Sequence, residues 1–157
     1  MTFHVPPDGR QSVAALAIRR GVCRLLQTHR FVPVAELGLP DGRRADLAAL
    51  GPQGEVWIVE IKSCLADFQA DRKWPDYRAW SDRLFFAVDA EFPKTLLPED
   101  AGLFVADAYG GAVLREAPYH RMAPPARKAM TLAFAYAAAA RLHRLVDPEA
   151  GLALGEP

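Results

Sequence analysis

The most suggestive chemistry in the sequence ends an apolar run, Glu55-Val56-Trp57-Ile58-Val59-Glu60-Ile61-Lys62. In a strand, residues i and i+2 share a side about 6.6 Å apart, so Glu60 and Lys62 project with Val56 and Ile58 while Trp57, Val59 and Ile61 face the other way. Charges at the end of so apolar a strand need a partner, a metal or water, because a desolvated unpaired ion costs several kcal/mol. Asp46 stands 14 residues before Glu60. If their strands pair as a meander, the two carboxylates come side by side at one sheet end. Two such carboxylates repel, and a divalent cation resolves the repulsion; Mg²⁺ takes carboxylate oxygens, a backbone carbonyl and several waters at about 2.0–2.1 Å. Lys62 beside it would orient a water or, deprotonated, activate it, and would neutralise charge growing on a phosphate. A plain ion pair between Glu60 and Lys62, with Asp46 held by Arg44, accommodates the same residues. Acid-x-Lys recurs as Asp71-Arg72-Lys73, so position at a strand end, rather than the tripeptide, carries the weight.

The elements around these residues can be read in order. Gln11 to His29 has apolar residues at Val13, Leu16, Ala17, Val22, Leu25 and Leu26, with Ser12 near its start, and predicts a helix. Gly21 weakens that helix by about 1 kcal/mol relative to alanine. Phe31 to Leu37 and Arg44 to Leu50 flank the turn Leu39-Pro40-Asp41-Gly42 and predict a hairpin, followed after Gly51-Pro52-Gln53-Gly54 by the Glu60 strand. Leu65 to about Lys73 is helical in pattern and should kink or restart at Pro75, before Tyr77 and Trp80. Leu84 to Asp89 is a buried strand, Leu103 to Ala108 and Ala112 to Glu116 pair across Gly110-Gly111, and Pro124-Pro125 opens a closing helix with a stripe of Met130, Phe134, Ala137 and Leu142. The expected fold is α/β, a mixed central sheet flanked by helices. It forms one domain over residues 1–147, with 148–157 frayed.

Composition sets the bounds. A chain of 157 residues with 51% hydrophobic and 24% charged residues suits one globular domain that folds without disulfide or structural metal. Cys23 and Cys64 follow no CxxC pattern and no signal peptide is evident, which points to a reducing cytoplasm. The longest apolar stretch, Ala129 to Ala140, is too short to cross a bilayer. Its 19 basic and 19 acidic residues cancel overall, but Arg10 to Arg30 and Arg121 to Arg144 each hold five bases and no acid, leaving basic flanks around an acidic middle. Phosphate-loop, dinucleotide, HExxH and GxSxG signatures are missing, and the four histidines lack metal-ligand spacing.

The order α-β-β-β-α-β, with an aspartate on the second strand and Glu-x-Lys on the third, resembles the restriction-endonuclease-like core of the PD-(D/E)XK nuclease superfamily. Arg43-Arg44-Ala45-Asp46, Val59 to Ser63, Ala66 to Trp74 and Asp82 to Asp89 more closely resemble the MmcB family of DNA repair proteins, over Glu36 to Glu116. The resemblance implies that Asp46 and Glu60 bind Mg²⁺ or Mn²⁺ with help from the Ile61 carbonyl, that Lys62 is catalytic and that DNA is the substrate. Many superfamily members carry a glutamate in the first helix. Residues Gln11 to Arg30 hold none, and Glu36 is the nearest substitute.

Further residues have two readings each. Arg43 and Arg44 either clamp a phosphate or hold Asp46. Gln69 and Lys73, four apart, would reach DNA from one helix face or form a solvated surface. Arg20 and Arg24 would track a DNA backbone. Trp57, Trp74, Tyr77 and Trp80 either stack on bases or fill the core. The expected activity is Mg²⁺-dependent phosphodiester hydrolysis in DNA repair. The rivals are a DNA-structure-binding repair factor that keeps the fold without cutting and an oligomeric scaffold, such as a homodimer, joined through the alanine-rich closing helix.

Overall fold

The computed structural model describes residues 12–149; Gln11, the rest of the N-terminal segment and the expected frayed tail from residue 150 onward lie outside the described residues. Helix α1 (Val13–Thr28) starts where Ser12 Oγ accepts the Ala15 N–H at 3.1 Å, and it buries Ile18, Val22, Leu25 and Leu26. The strands β1 (Val32–Gly38), β2 (Arg44–Leu50) and β3 (Val56–Ile61) form an antiparallel meander. Helix α2 (Leu65–Ala70) and a 3-10 turn (Trp74–Trp80) cross over to β4 (Arg83–Val88), which lies parallel to β3. A second crossover, with a 3-10 turn at Lys94–Leu96, leads to β5 (Gly102–Ala106), parallel to β4, and β6 (Gly111–Arg115) closes the sheet antiparallel to β5. The long helix α3 (Pro124–Val146) ends the order. Sheet order follows chain order from β1 to β6, so the mixed α/β fold expected from the sequence is present.

Each face of the sheet buries its own core. On one side Trp57, Val59, Phe85 and Phe104 pack under α1, with Trp57 stacked on Phe31 at 3.9 Å and Phe85 on Phe104 at 4.2 Å. On the other, Val56, Ile58, Tyr77 and Leu84 pack beneath Met130, Phe134 and Ala137 of α3. The alternation along β3 that the sequence predicts is therefore realised, and Trp57 and Tyr77 are core residues. Trp74 packs edge-on to Phe86 at 5.3 Å, and Trp80 donates its indole N–H to Asp41 at 3.2 Å. One residue of the predicted α3 stripe is misplaced: Leu142 is exposed, because Ala140 takes the buried position and Arg141 turns back to the carbonyls of Ala35 and Glu36.

Gly21 has a packing reason to be there. A Cβ at this position would sit 2.0 Å from the Asp107 carbonyl oxygen and 2.5 Å from that of Gly110. The backbone of the β5–β6 hairpin lies directly on the helix. We expect Gly21→Ala to lose about 1–3 kcal/mol in urea unfolding, since overpacking exceeds the gain of about 1 kcal/mol in helix propensity.

Candidate active-site cleft

Because β3, β4 and β5 run parallel, their C-terminal ends share one rim of the sheet. At the β3 end of that rim is a cleft of about 410 Å³ bordered by Asp46, Glu60, Lys62, Arg44, Tyr77 and the start of α1. Asp46 reaches it through an irregularity in the meander. Glu36 adopts a left-handed backbone (φ 50°) and the β1–β2 register skips it, passing from Ala35↔Leu47 to Leu37↔Ala45. Ala35 and Leu47 pack on the α1 side, while Leu37 and Ala45 pack on the α3 side. The strand pair thus changes face at Glu36 and Asp46. Such a conformation persists only where the surroundings over-determine it, and Arg141 of α3 does so by binding the carbonyls on both sides of the kink, Ala35 O and Glu36 O.

The β2–β3 ladder closes at Leu47↔Val59, and beyond it side chains take over. The Ile61 N–H donates to Asp46 Oδ2 at 2.8 Å, and the Asp46 N–H donates to Glu60 Oε1 at 3.2 Å. These reciprocal bonds fix the two carboxylates beside each other while leaving Asp46 Oδ1 and Glu60 Oε2 outside them. Glu60 is 3% exposed and Lys62 6%. Burial and the adjacent Asp46 charge push the Glu60 carboxyl well above its ordinary value, against the pull of Lys62. Burial likewise raises Asp46, against the Ile61 N–H and the Lys62 charge. Burial and the three nearby carboxylates of Glu60, Asp46 and Asp71 raise Tyr77, which remains a phenol donating to the Arg44 carbonyl at 3.0 Å.

Asp71 is the member that sequence reasoning missed. Its Oδ2 accepts Lys62 Nζ at 2.5 Å, closer than Glu60 Oε2 at 3.8 Å. Its Oδ1 accepts the N–H groups of Lys73 at 2.8 Å and Trp74 at 3.3 Å. The only signal in the sequence was a second acid-x-Lys, Asp71-Arg72-Lys73, and its meaning depends on the fold. That same cap corrects the expected helix face of Gln69 and Lys73. α2 stops at Ala70, because Asp71 binds the following backbone in extended geometry and Pro75 disfavours helix at Trp74, so the two exposed side chains do not share a helical stripe. Asp71 hydrogen-bonds only to Lys62 and to backbone N–H groups, so its place in the cleft is to position the lysine.

The remaining candidates divide. Arg44 borders the cleft and pairs with Glu36 at 3.6 Å, so it does not hold Asp46. Arg43 is engaged by Asp41 at 3.2 Å and Asp76 at 2.6 Å and does not border the cleft. Glu36 is not among the residues lining the cleft, though its charge raises Asp46 slightly. Arg20 and Arg24 are exposed on α1, and Arg24 binds the Tyr109 carbonyl at 2.9 Å, about 13 Å along the helix from Ala15 at the cleft. Among the described residues no group of three or more His, Cys, Asp or Glu side chains is arranged to hold a metal. The available donors for a cation are two carboxylates, hard oxygen ligands suited to Mg²⁺ or Mn²⁺, with the Ile61 carbonyl next along the chain from Glu60.

A mixed six-stranded sheet with a buried glutamate and lysine at the rim of its parallel strands defines an α/β protein with a polar cleft at a strand end. The model of the MmcB-like family, described as DNA repair protein MmcB-like, matches residues 4–149, and the chain belongs to that family. Among solved structures it is similar to the SPO1766 protein of unknown function from Silicibacter pomeroyi, with 47% identity, a TM-score of 0.85 and coverage of 92% of this chain and 97% of the other. No curated protein matches the chain. No helix among the described residues is long and apolar enough to cross a membrane.

Proposed function

We propose that this DNA repair protein is a Mg²⁺- or Mn²⁺-dependent deoxyribonuclease of the PD-(D/E)XK type. The observation that carries the reading is the Asp46–Glu60 pair, a half-buried and a buried carboxylate held side by side with the Lys62 ammonium 3.8 Å from Glu60. Asp46 and Glu60, with the Ile61 carbonyl, would hold the cation. When bound, it supplies Lewis-acid stabilisation of the phosphate and a more acidic water. Lys62 donates hydrogen bonds to that water or to the phosphoryl oxygens and balances the charge that grows on them. Asp71 holds the Lys62 side chain in the cleft, and Arg44, half exposed at the edge, supplies a guanidinium for the neighbouring phosphate. Tyr77 fixes the Arg44 backbone through its hydroxyl.

The second reading, a DNA-structure-binding repair factor that does not cut, is favoured because among the described residues no third carboxylate is placed to hold a metal with Asp46 and Glu60, Asp71 being paired with Lys62. A cleavage assay over single-stranded, flapped, branched and duplex DNA with Mg²⁺, Mn²⁺ or EDTA separates them. Cutting that needs the metal supports the nuclease, binding without cutting supports the rival, and cutting that survives EDTA refutes the metal mechanism. A homodimer through the exposed Leu132, Tyr136 and Leu142 of α3 would show as a doubled chromatographic mass.

A further inference from the structure

The sheet rim that carries the cleft continues past β4 to the β5–β6 hairpin, and there the side chain of Tyr109 is 80% exposed. This ring stands on a rigid mount. The Asp107 carboxylate accepts the N–H groups of Tyr109 at 2.8 Å and Gly110 at 3.1 Å, and the Asp107 N–H returns to the Gly110 carbonyl at 3.0 Å. Arg24 Nη1 binds the Tyr109 carbonyl at 2.9 Å, and the bare Gly21 lets the hairpin rest on α1. The backbone is thus pinned from three sides while the aromatic ring is left in solvent.

Two surroundings give that ring a chemical purpose. Below it lies a groove of about 710 Å³, walled largely by apolar side chains such as Ala14, Ile18 and Val105, with Asp89 and Glu91 at its border. Arg24, which reaches the Tyr109 carbonyl, and Arg20 one helical turn before it are both exposed on α1. An exposed aromatic, an apolar slot edged by hydrogen-bond acceptors and adjacent guanidinium groups suit an unpaired nucleotide. The base stacks on the ring, its amino group faces the acids, and its phosphates lie towards the arginines. A paired base in a duplex offers no free face to such a ring. The two carboxylates at the groove would repel a phosphate, so they favour the base as the part that enters.

We propose that Tyr109, with Arg20 and Arg24, forms a docking surface for a single-stranded nucleic acid segment on the same rim as the cleft. This deepens the nuclease reading, on which it rests for the identity of its polymer, and it assigns the enzyme a substrate with an unpaired stretch.

The test measures fluorescence anisotropy of a labelled oligothymidylate and of a blunt duplex of equal length, in EDTA, on the full chain carrying Lys62→Ala so that nothing is cut. Single strands should bind more tightly than the duplex. Tyr109→Ala should weaken single-strand binding about tenfold, the effect of losing one base stack, while Tyr109→Phe restores it and duplex binding stays within twofold. Unchanged single-strand binding in Tyr109→Ala, or equal loss on the duplex, would overturn the proposal. Its failure is separable from that of the nuclease reading. If the protein with native Lys62 cuts DNA in Mg²⁺ while Tyr109→Ala binds normally, only the docking surface is lost. If it cuts nothing while Tyr109→Ala loses single-strand binding, the surface stands on the non-cutting repair factor instead.

Discussion

Replacing Lys62 by alanine should reduce DNA cleavage by about 10²- to 10³-fold while leaving DNA binding in EDTA within twofold. The magnitude is that of removing one preorganised donor aimed at charge developing in a transition state. The separation between cutting and binding follows from where the lysine sits. Lys62 is 6% exposed at the base of the cleft, whereas Arg44 at the edge and the arginines of α1 remain accessible to phosphates. Binding carried by those outer residues does not require Lys62. The substitution also strands Asp71 and Glu60 without their cation, so Lys62→Met, which preserves the buried stem, serves as the companion variant. Both should lose cleavage, and circular dichroism should show the fold retained in Lys62→Met. Because Lys62 faces two carboxylates, arginine is not a substitute: its planar fork cannot occupy the position of a compact ammonium between them.

The second large effect concerns stability. Asp82 is 0% exposed and is the hub that joins both ends of the α3 side of the molecule. Its carboxylate takes Arg127 of α3 through two bonds, Nη2 to Oδ1 at 2.6 Å and Nη1 to Oδ2 at 2.9 Å. It also accepts the N–H groups of Val56 at 2.8 Å and Met122 at 3.0 Å, so one side chain ties the start of β3 and the chain before α3 to the start of β4. Asp82→Ala leaves those donors without their acceptor and should destabilise the protein by about 3 kcal/mol, the lower end for a broken buried pair because Arg127 keeps partial contact with water. Burial pushes the Asp82 carboxyl up, but the Arg127 guanidinium and the two backbone N–H groups outweigh it and hold the group below its ordinary value. A depressed folded value means that the unfolded chain binds the proton first as pH falls. The stabilisation is therefore complete above the unfolded value near about 3.9 and is lost as pH drops through the folded one. Asp82→Asn should thus show a shallower fall in stability than the natural chain as pH drops below about 4, measured by urea unfolding at each pH.

The order of elements was legible in the sequence because each rests on local rules. β3 opens on an unbroken apolar run from Val56 to Val59, α1 has a period of 3.6 with a serine to cap it, and Pro75 marks the restart of the chain as a 3-10 turn after α2. Glu60 and Lys62 were legible for the same reason, since charges ending an apolar strand announce themselves, and Asp46 joined them on the expectation that its strand pairs with theirs as a meander. What lay outside local rules did not show. Asp71 becomes a partner of Lys62 only after α2 has folded back over the rim, and its pairing across nine residues has no periodic signature. The turn of Asp46 towards the end of β3 depends on the left-handed Glu36, a conformation held by Arg141 from the far end of the chain. Gly21 reads as a weak spot in a helix until a distant hairpin is seen to need its bare surface. The helical pairing of Gln69 with Lys73 failed because a side-chain cap, invisible to helical spacing, ends α2 between them.

The proposed chemistry needs a divalent cation held between Asp46 and Glu60, and its binding can be measured without catalysis. Isothermal titration of Mn²⁺ into the full chain and into Asp46→Asn is the direct test. One binding site in the natural chain that disappears in the variant is the predicted result. Equal Mn²⁺ binding by both proteins, or none by the natural chain even in the presence of DNA, would contradict it.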